Sequence, residues 1–133
     1  MTILALNHYN LRADRELLDV LRDFYCTVVG LTQGRRPAFT SFGYWLYAGD
    51  RDVLHLTEVQ PNELRQAHVP TTFDHVAFTC AGRTEVEARL EALKVRFDTD
   101  DVPGAGQVQL FFRDRLGNGV ELNFADADLK LDD

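Results

Sequence analysis

The feature that most narrows the folds open to this chain is a repeated order of elements, and a repeat is best sought before any fold is assigned. Over residues 3–10, Leu4, Leu6 and His8 recur at period two, which predicts a strand. The stretch ADRELLDVLRDFYCTVVGL follows. It sets Leu17, Leu18, Leu21, Phe24, Tyr25 and Val28 at intervals of three and four, the pattern of an amphipathic helix, with Asp14 as its N-cap and Gly30 as its stop. A short strand at 31–36 halts at Pro37. An aromatic-rich strand at 39–48, the turn AGDRD and a strand at 53–59 complete the first half. A polar connector then carries an expected helical turn at 62–66. The second half predicts a strand at 72–80, a helix at 83–94 with Val86, Leu90 and Leu93 on one face, and a short strand at 95–99. A turn at 103–106, a strand at 107–113, a turn at 114–119 and a strand at 120–124 complete it. Each half reads strand, helix, strand, strand, strand. Module one is 1–60, the connector 61–70, module two 71–126 and an acidic tail 127–133.

The repeat extends to chemistry. His8 and His75 lie in the first strand of their halves, and His55 and Glu121 in the last, at the same interval to within one residue. The last strands share a pattern, Leu54-His55-Leu56 against Val120-Glu121-Leu122. Neighbouring side chains on a strand point to opposite faces. With Leu54, Leu56, Val120, Leu122 and Phe124 turned to the core, His55 faces away with Thr57, and Glu121 with Asn123. Val76 and Phe78 turned inward leave His75 outward with Phe73 and Ala77. His8 is less cleanly placed, because Leu4 and Leu6 share its parity. Three imidazoles and a carboxylate suit a borderline divalent ion such as Fe, Zn, Ni, Mn or Co, with coordination positions left for substrate. Glu58 is a rival fourth ligand to His55, although its parity sets it on the opposite face. Ser41, Gly43, Trp45, Tyr47, Gln109, Phe111 and Arg113 share the ligand-face parity and are candidates for the substrate pocket. The aromatic strand with Trp45 and Tyr47 equally suits an interface, and Arg113 equally suits pairing within its turn.

Composition excludes several classes. The chain of 133 residues carries a net charge of −7, with 21 acidic against 14 basic residues, which argues against nucleic acid as a partner. No apolar run approaches a membrane span, and the N-terminal residues do not read as a signal peptide, so a cytoplasmic protein with reduced Cys26 and Cys80 is expected. Arg35-Arg36 is a tight basic pair that reads either as solvated or as a contact for an anionic substrate group. His68, in the connector, reads as a surface residue.

Three segments resemble the vicinal oxygen chelate superfamily, which includes glyoxalases, bleomycin-resistance proteins and extradiol dioxygenases. DFYCTVVGL is similar to its helix-end motif, FDHVAF to the strand opening its second module, and FFRDRLGNGVELNF to its closing hairpin. Arg115 and Leu116 occupy the middle of that hairpin turn, so the family's usual proline is missing. The resemblance covers nearly the whole chain. It implies an α+β fold of two tandem βαβββ modules forming a cupped, incomplete β-barrel around one divalent metal ion held by His8, His55, His75 and Glu121. Glyoxalase I types often carry Glu at the position of His55. His8, His75 and Glu121 are the ligand set of the dioxygenase and fosfomycin-resistance branches.

The resemblance implies a metal-dependent lyase or isomerase of glyoxalase type, chelating a small substrate through vicinal oxygens, with Glu121 also the catalytic base. Two alternatives stand beside it: an extradiol-type ring-cleaving dioxygenase, and a non-catalytic small-molecule binding or resistance protein. A homodimer is expected by the same resemblance.

Overall fold

The computed structural model describes residues 2–125; the acidic tail expected at 127–133 lies outside the described residues. The chain divides into two compact units, 1–66 and 67–133. Each contains a four-stranded mixed sheet and a helix. Among the described residues, no helix is long and apolar enough to cross a membrane.

Unit 1 runs β1 (Tyr9–Ala13), α1 (Arg15–Phe24), β2 (Thr32–Gly34), β3 (Gly43–Ala48) and β4 (Arg51–Glu58). Its sheet order is β1-β4-β3-β2, with β1 parallel to β4 and the other pairs antiparallel. Asp14 caps α1 as expected, its Oδ1 accepting from the Leu17 N–H at 3.0 Å. Leu18 and Leu21 of α1 are fully buried, as are Leu46, Leu54 and Leu56 of the strands it packs on. The regular helix stops earlier than its periodicity predicts. Tyr25–Val29 forms a single π-helical turn, and Gly30 closes it at φ 104°, with the Gly30 and Leu31 N–H groups both donating to the Tyr25 carbonyl. The buried Tyr25 is the anchor of that turn.

Unit 2 runs β5 (His75–Cys80), α2 (Arg83–Ala92), β6 (Asp98–Val102), β7 (Gln107–Arg113) and β8 (Gly119–Ala125), with order β5-β8-β7-β6. β5 is parallel to β8, again with antiparallel partners beyond. Val108, Leu110, Val120, Leu122 and Phe124 are fully buried, together with Leu90 of α2.

Some expected boundaries move. Strand β1 begins at Tyr9, not Ile3, because its pairing is set by the reach of β4: Tyr9 meets Leu54 and Ala13 meets Glu58. Ile3, Leu4 and Leu6 lie ahead of the strand and are 91%, 92% and 76% exposed. Strand β6 begins three residues later than the strand expected at 95–99 and continues to Val102. The 103–106 turn pairs Val102 with Gln107, so hairpin closure places three aspartates in an edge strand against their propensity. Such charges also keep an open edge from pairing with other chains. The helical turn expected at 62–66 does not form; Glu63 is drawn instead to Arg12 on β1. Leu93 lies past the end of α2 and is exposed.

Candidate metal centre

In unit 1, β4 carries His55 between the buried Leu54 and Leu56, so the imidazole takes the sheet face away from α1. The strand registers set Asn10 of β1 and Trp45 of β3 opposite it on that face. His8 lies two residues before Asn10 and returns to the same side. Its ring stacks on His55 with centroids 3.7 Å apart, and Trp45 stacks on the other side at 4.0 Å. His55 is thus held between two flat rings and is only 8% exposed.

Unit 2 repeats this register. Glu121 of β8 sits between the buried Val120 and Leu122, opposite Ala77 of β5 and Phe111 of β7. His75 lies two residues before Ala77, as His8 lies two before Asn10. Its Nε2 stands 3.2 Å from Glu121 Oε1. Phe111 presents its edge to the His75 ring, with centroids 5.7 Å apart. Glu121 is 5% exposed, and its Oε2 accepts from Asn123 Nδ2 at 3.3 Å. Within each unit, then, two of the four expected ligands come together: His8 with His55, and His75 with Glu121. Among the described residues of either unit, no three His, Cys, Asp or Glu side chains form a metal-binding group by themselves.

The donor chemistry suits a divalent ion. Two neighbouring donors each about 2.1 Å from one ion stand about 3 Å apart, close to the separation of His75 Nε2 and Glu121 Oε1. Each histidine also has one ring nitrogen engaged by a side-chain oxygen. Asn7 Oδ1 holds His8 Nδ1 at 2.6 Å and Asp74 Oδ2 holds His75 Nδ1 at 2.8 Å, so the Nδ1 contacts leave Nε2 of His8 unengaged by them and turn Nε2 of His75 to Glu121. Asp52 Oδ2 holds His55 Nε2 at 2.7 Å, which leaves Nδ1 open. Oxygen partners of this kind fix the orientation and tautomer of metal-binding histidines. Burial pushes the His55 pKa down; the Asp52 hydrogen bond opposes that, and the charges of His8 and Arg36 add to it. His55 is therefore kept neutral, the form that coordinates. The hydrogen bonds from His55 and His75 lower the pKa values of Asp52 and Asp74.

Asp52, Asn7 and Asp74 join the site only in the structure. Asn7 and Asp74 had a legible signal, since each immediately precedes the first-strand histidine of its module. Asp52 had none. It lies three residues from His55, an odd interval that would put it on the opposite face of a regular strand. A β-bulge at Val53 restores the parity: Leu46 pairs with Leu54, but Tyr47 pairs with Asp52.

Of the other expected residues, Glu58 is paired with Arg15 at 3.0 and 3.1 Å, on the Ala13 rung of the sheet. Tyr47 lies across Gly34 and donates its hydroxyl to the Arg35 carbonyl. Gln109 and Phe111 are half-buried on the Glu121 face, while Arg113 is exposed and donates to the Gly117 carbonyl at 2.9 Å. His68 is exposed, but its N–H donates to the Leu116 carbonyl at 2.7 Å and its ring lies against Gly117. A cleft of about 700 Å³, lined by Arg15, Phe42, Glu58 and Pro61 among others, contains none of the four expected ligands.

No family model matches the sequence, and no curated protein matches it. Solved structures do. A glyoxylase/bleomycin resistance protein/dioxygenase domain from Frankia is similar over 93% of this chain and 99% of its own, with a TM-score of 0.68 at 17% identity. The fold is that of the vicinal oxygen chelate superfamily. Other structures with the vicinal oxygen chelate fold agree. Lactoylglutathione lyase from Agrobacterium tumefaciens is similar at 24% identity and TM-score 0.65, covering 92% of this chain and 95% of its own. The fosfomycin resistance protein FosX from Listeria monocytogenes, complexed with Mn(II) and sulfate, is similar at 17% identity and TM-score 0.64, covering 98% and 99%.

Proposed function

We propose that this chain is a metal-dependent enzyme of glyoxalase type, a lyase or isomerase acting on a small substrate through two adjacent oxygens. His8, His55, His75 and Glu121 would hold one divalent ion, Fe, Zn, Ni, Mn or Co. The observation that carries this reading is the repeated register: in each unit a buried metal-capable residue on the last strand faces a histidine two residues before its partner on the first strand. Lactoylglutathione lyase and a Mn(II)-bound resistance protein among the similar structures support metal use and this reaction class.

When bound, the ion would supply Lewis-acid polarisation of the substrate oxygens. The chain's own groups do the rest. Glu121 is the proton acceptor: it is buried, and Asn123 restrains its Oε2 while Oε1 faces His75. Asn7, Asp52 and Asp74 orient the three imidazoles. Trp45 and Phe111, each opposite a last-strand ligand, wall the substrate, and Tyr47, Gln109 and Arg113 complete the pocket. The working form is a homodimer. A cytoplasmic location is part of the proposal, with Cys26 and Cys80 both as thiols.

Elemental analysis of the purified protein tests the reading. It should find about one divalent ion per chain. His75→Ala should lose the ion and the activity, and His68→Ala should keep both. With nickel or zinc, conversion of a glutathione hemithioacetal is expected; iron with oxygen uptake on catechols would move the assignment to ring cleavage. A chain that arrives without metal and takes none up on addition sinks the proposal.

A further inference from the structure

In a chain with an excess of carboxylates, one half-buried arginine beside the His55 face has no carboxylate partner among the described residues. Arg12, Arg15, Arg22, Arg65 and Arg83 each hold a carboxylate oxygen within 3.1 Å. Arg36 instead donates from Nη1 to the Ser41 carbonyl at 2.9 Å and from Nη2 to the Ser41 hydroxyl at 3.1 Å, and its buried Nε–H has no partner among the described residues. A buried donor left without an acceptor costs about 1–3 kcal/mol, so an acceptor belongs there. The Nε–H and the second Nη2 hydrogen form a fork that matches both oxygens of one carboxylate, and because Nε is covered in this structure, a carboxylate entering the fork displaces that cover.

The position of this guanidinium is built in. It lies against Gly43, where a Cβ would stand 3.1 Å from Nη2 and 2.1 Å from the Leu56 carbonyl oxygen. Gly43 is opposite Thr57, two residues along β4 from His55 and on the same face. Phe39 bridges the two places: the guanidinium sits 4.9 Å from its ring, the Phe39 and Trp45 centroids are 6.0 Å apart, and Trp45 stacks on His55.

We propose that Arg36 recognises the carboxylate of an organic-acid substrate whose flat or apolar body lies along Phe39 and Trp45. This rests on the His55 face being the substrate side of unit 1, as proposed above, and it narrows the substrate class to acids.

Trp45 is the sole tryptophan, so its fluorescence reads binding directly. The probes are phenylacetate and its neutral isostere phenylacetamide, titrated into the full-length protein as purified and again after chelator treatment. Phenylacetate should bind at least tenfold more tightly than the amide in both preparations. Arg36→Gln should bring that ratio close to one with little change in affinity for the amide, and Arg36→Lys should keep part of it. Circular dichroism checks that each variant is folded, and the wild-type ratio stands whether or not the glutamine variant folds. Equal binding of acid and amide by the wild type overturns the proposal. So does an acid preference that survives in folded Arg36→Gln, or one that disappears on chelation, which would put the carboxylate on the metal. A protein that proves metal-free leaves this test intact, so the two readings fail separately.

Discussion

Asp52 shows how one residue can decide what a neighbouring histidine does. Held by Asp52 through Nε2 and stacked between His8 and Trp45, His55 has one orientation and one open nitrogen. Outer partners of this kind are worth about 10–100-fold in metal affinity. Asp52→Asn keeps an oxygen acceptor but loses the charge, and Asp52→Ala loses both. We expect metal affinity to fall by about 10-fold or more in the alanine variant and by less in the asparagine variant, with an unchanged near-UV circular dichroism spectrum. Metal competition titrations check this, and an alanine variant with wild-type affinity would rule out the positioning role. At this scale the sequence was readable wherever strand alternation held. Glu121 and His55 take the expected face because buried aliphatic residues flank each of them. Asp52 was unreadable because alternation cannot register a bulge. Arg36 fits two readings in the sequence because a basic pair in a loop has no period to orient it.

Among the elements, those defined by their own periodicity or caps were legible, and those defined by a partner strand were not. Helix α1 begins where Asp14 predicts because the cap is local chemistry. Strand β1 lies later than its alternation predicts, because the β4 register pairs Tyr9 to Ala13 and not the apolar residues of 3–8. The segment after β4 was read as a helical turn, but a long-range contact claims it: Arg12 on β1 grips Glu63 with Nε and Nη2 at 2.8 and 2.7 Å, and Arg65 and the Gln60 N–H add to the same carboxylate. These bonds, led by Arg12, hold the Glu63 pKa well below the usual carboxylate range. A carboxyl depressed in the folded state contributes stability that is complete above its unfolded pKa of about 4.3 and is lost as pH falls toward the folded value. Wild type should therefore be more stable than Glu63→Gln at pH 7, with the gap closing as pH drops below about 4. Urea unfolding of both proteins across that range measures it, and a gap independent of pH would show that the ion pair is not its source.

For the whole molecule, the internal repeat carried the most information, since it predicts the two βαβββ units and the two close pairs, His8 with His55 and His75 with Glu121. A single-chain pattern could not say what covers the surfaces each unit leaves open. Ile3, Leu4 and Leu6 form an exposed apolar run just ahead of β1, and β1 is the edge strand of its sheet. Contiguous apolar surface and sheet edges both favour association. In the homodimer proposed above, a second copy would cover the run. Sedimentation equilibrium should then give about twice the 15.1 kDa of the chain. Replacing Ile3, Leu4 and Leu6 together by serine should return the value to that of one chain, since removing three aliphatic side chains takes away their share of the buried area at about 25 cal/mol per Å². The residues lie outside every strand and helix, so the variant should keep its fold and its far-UV spectrum. A wild-type protein that sediments as a single chain at micromolar concentration, or a triple variant that remains a dimer, would mean that this segment is not the interface.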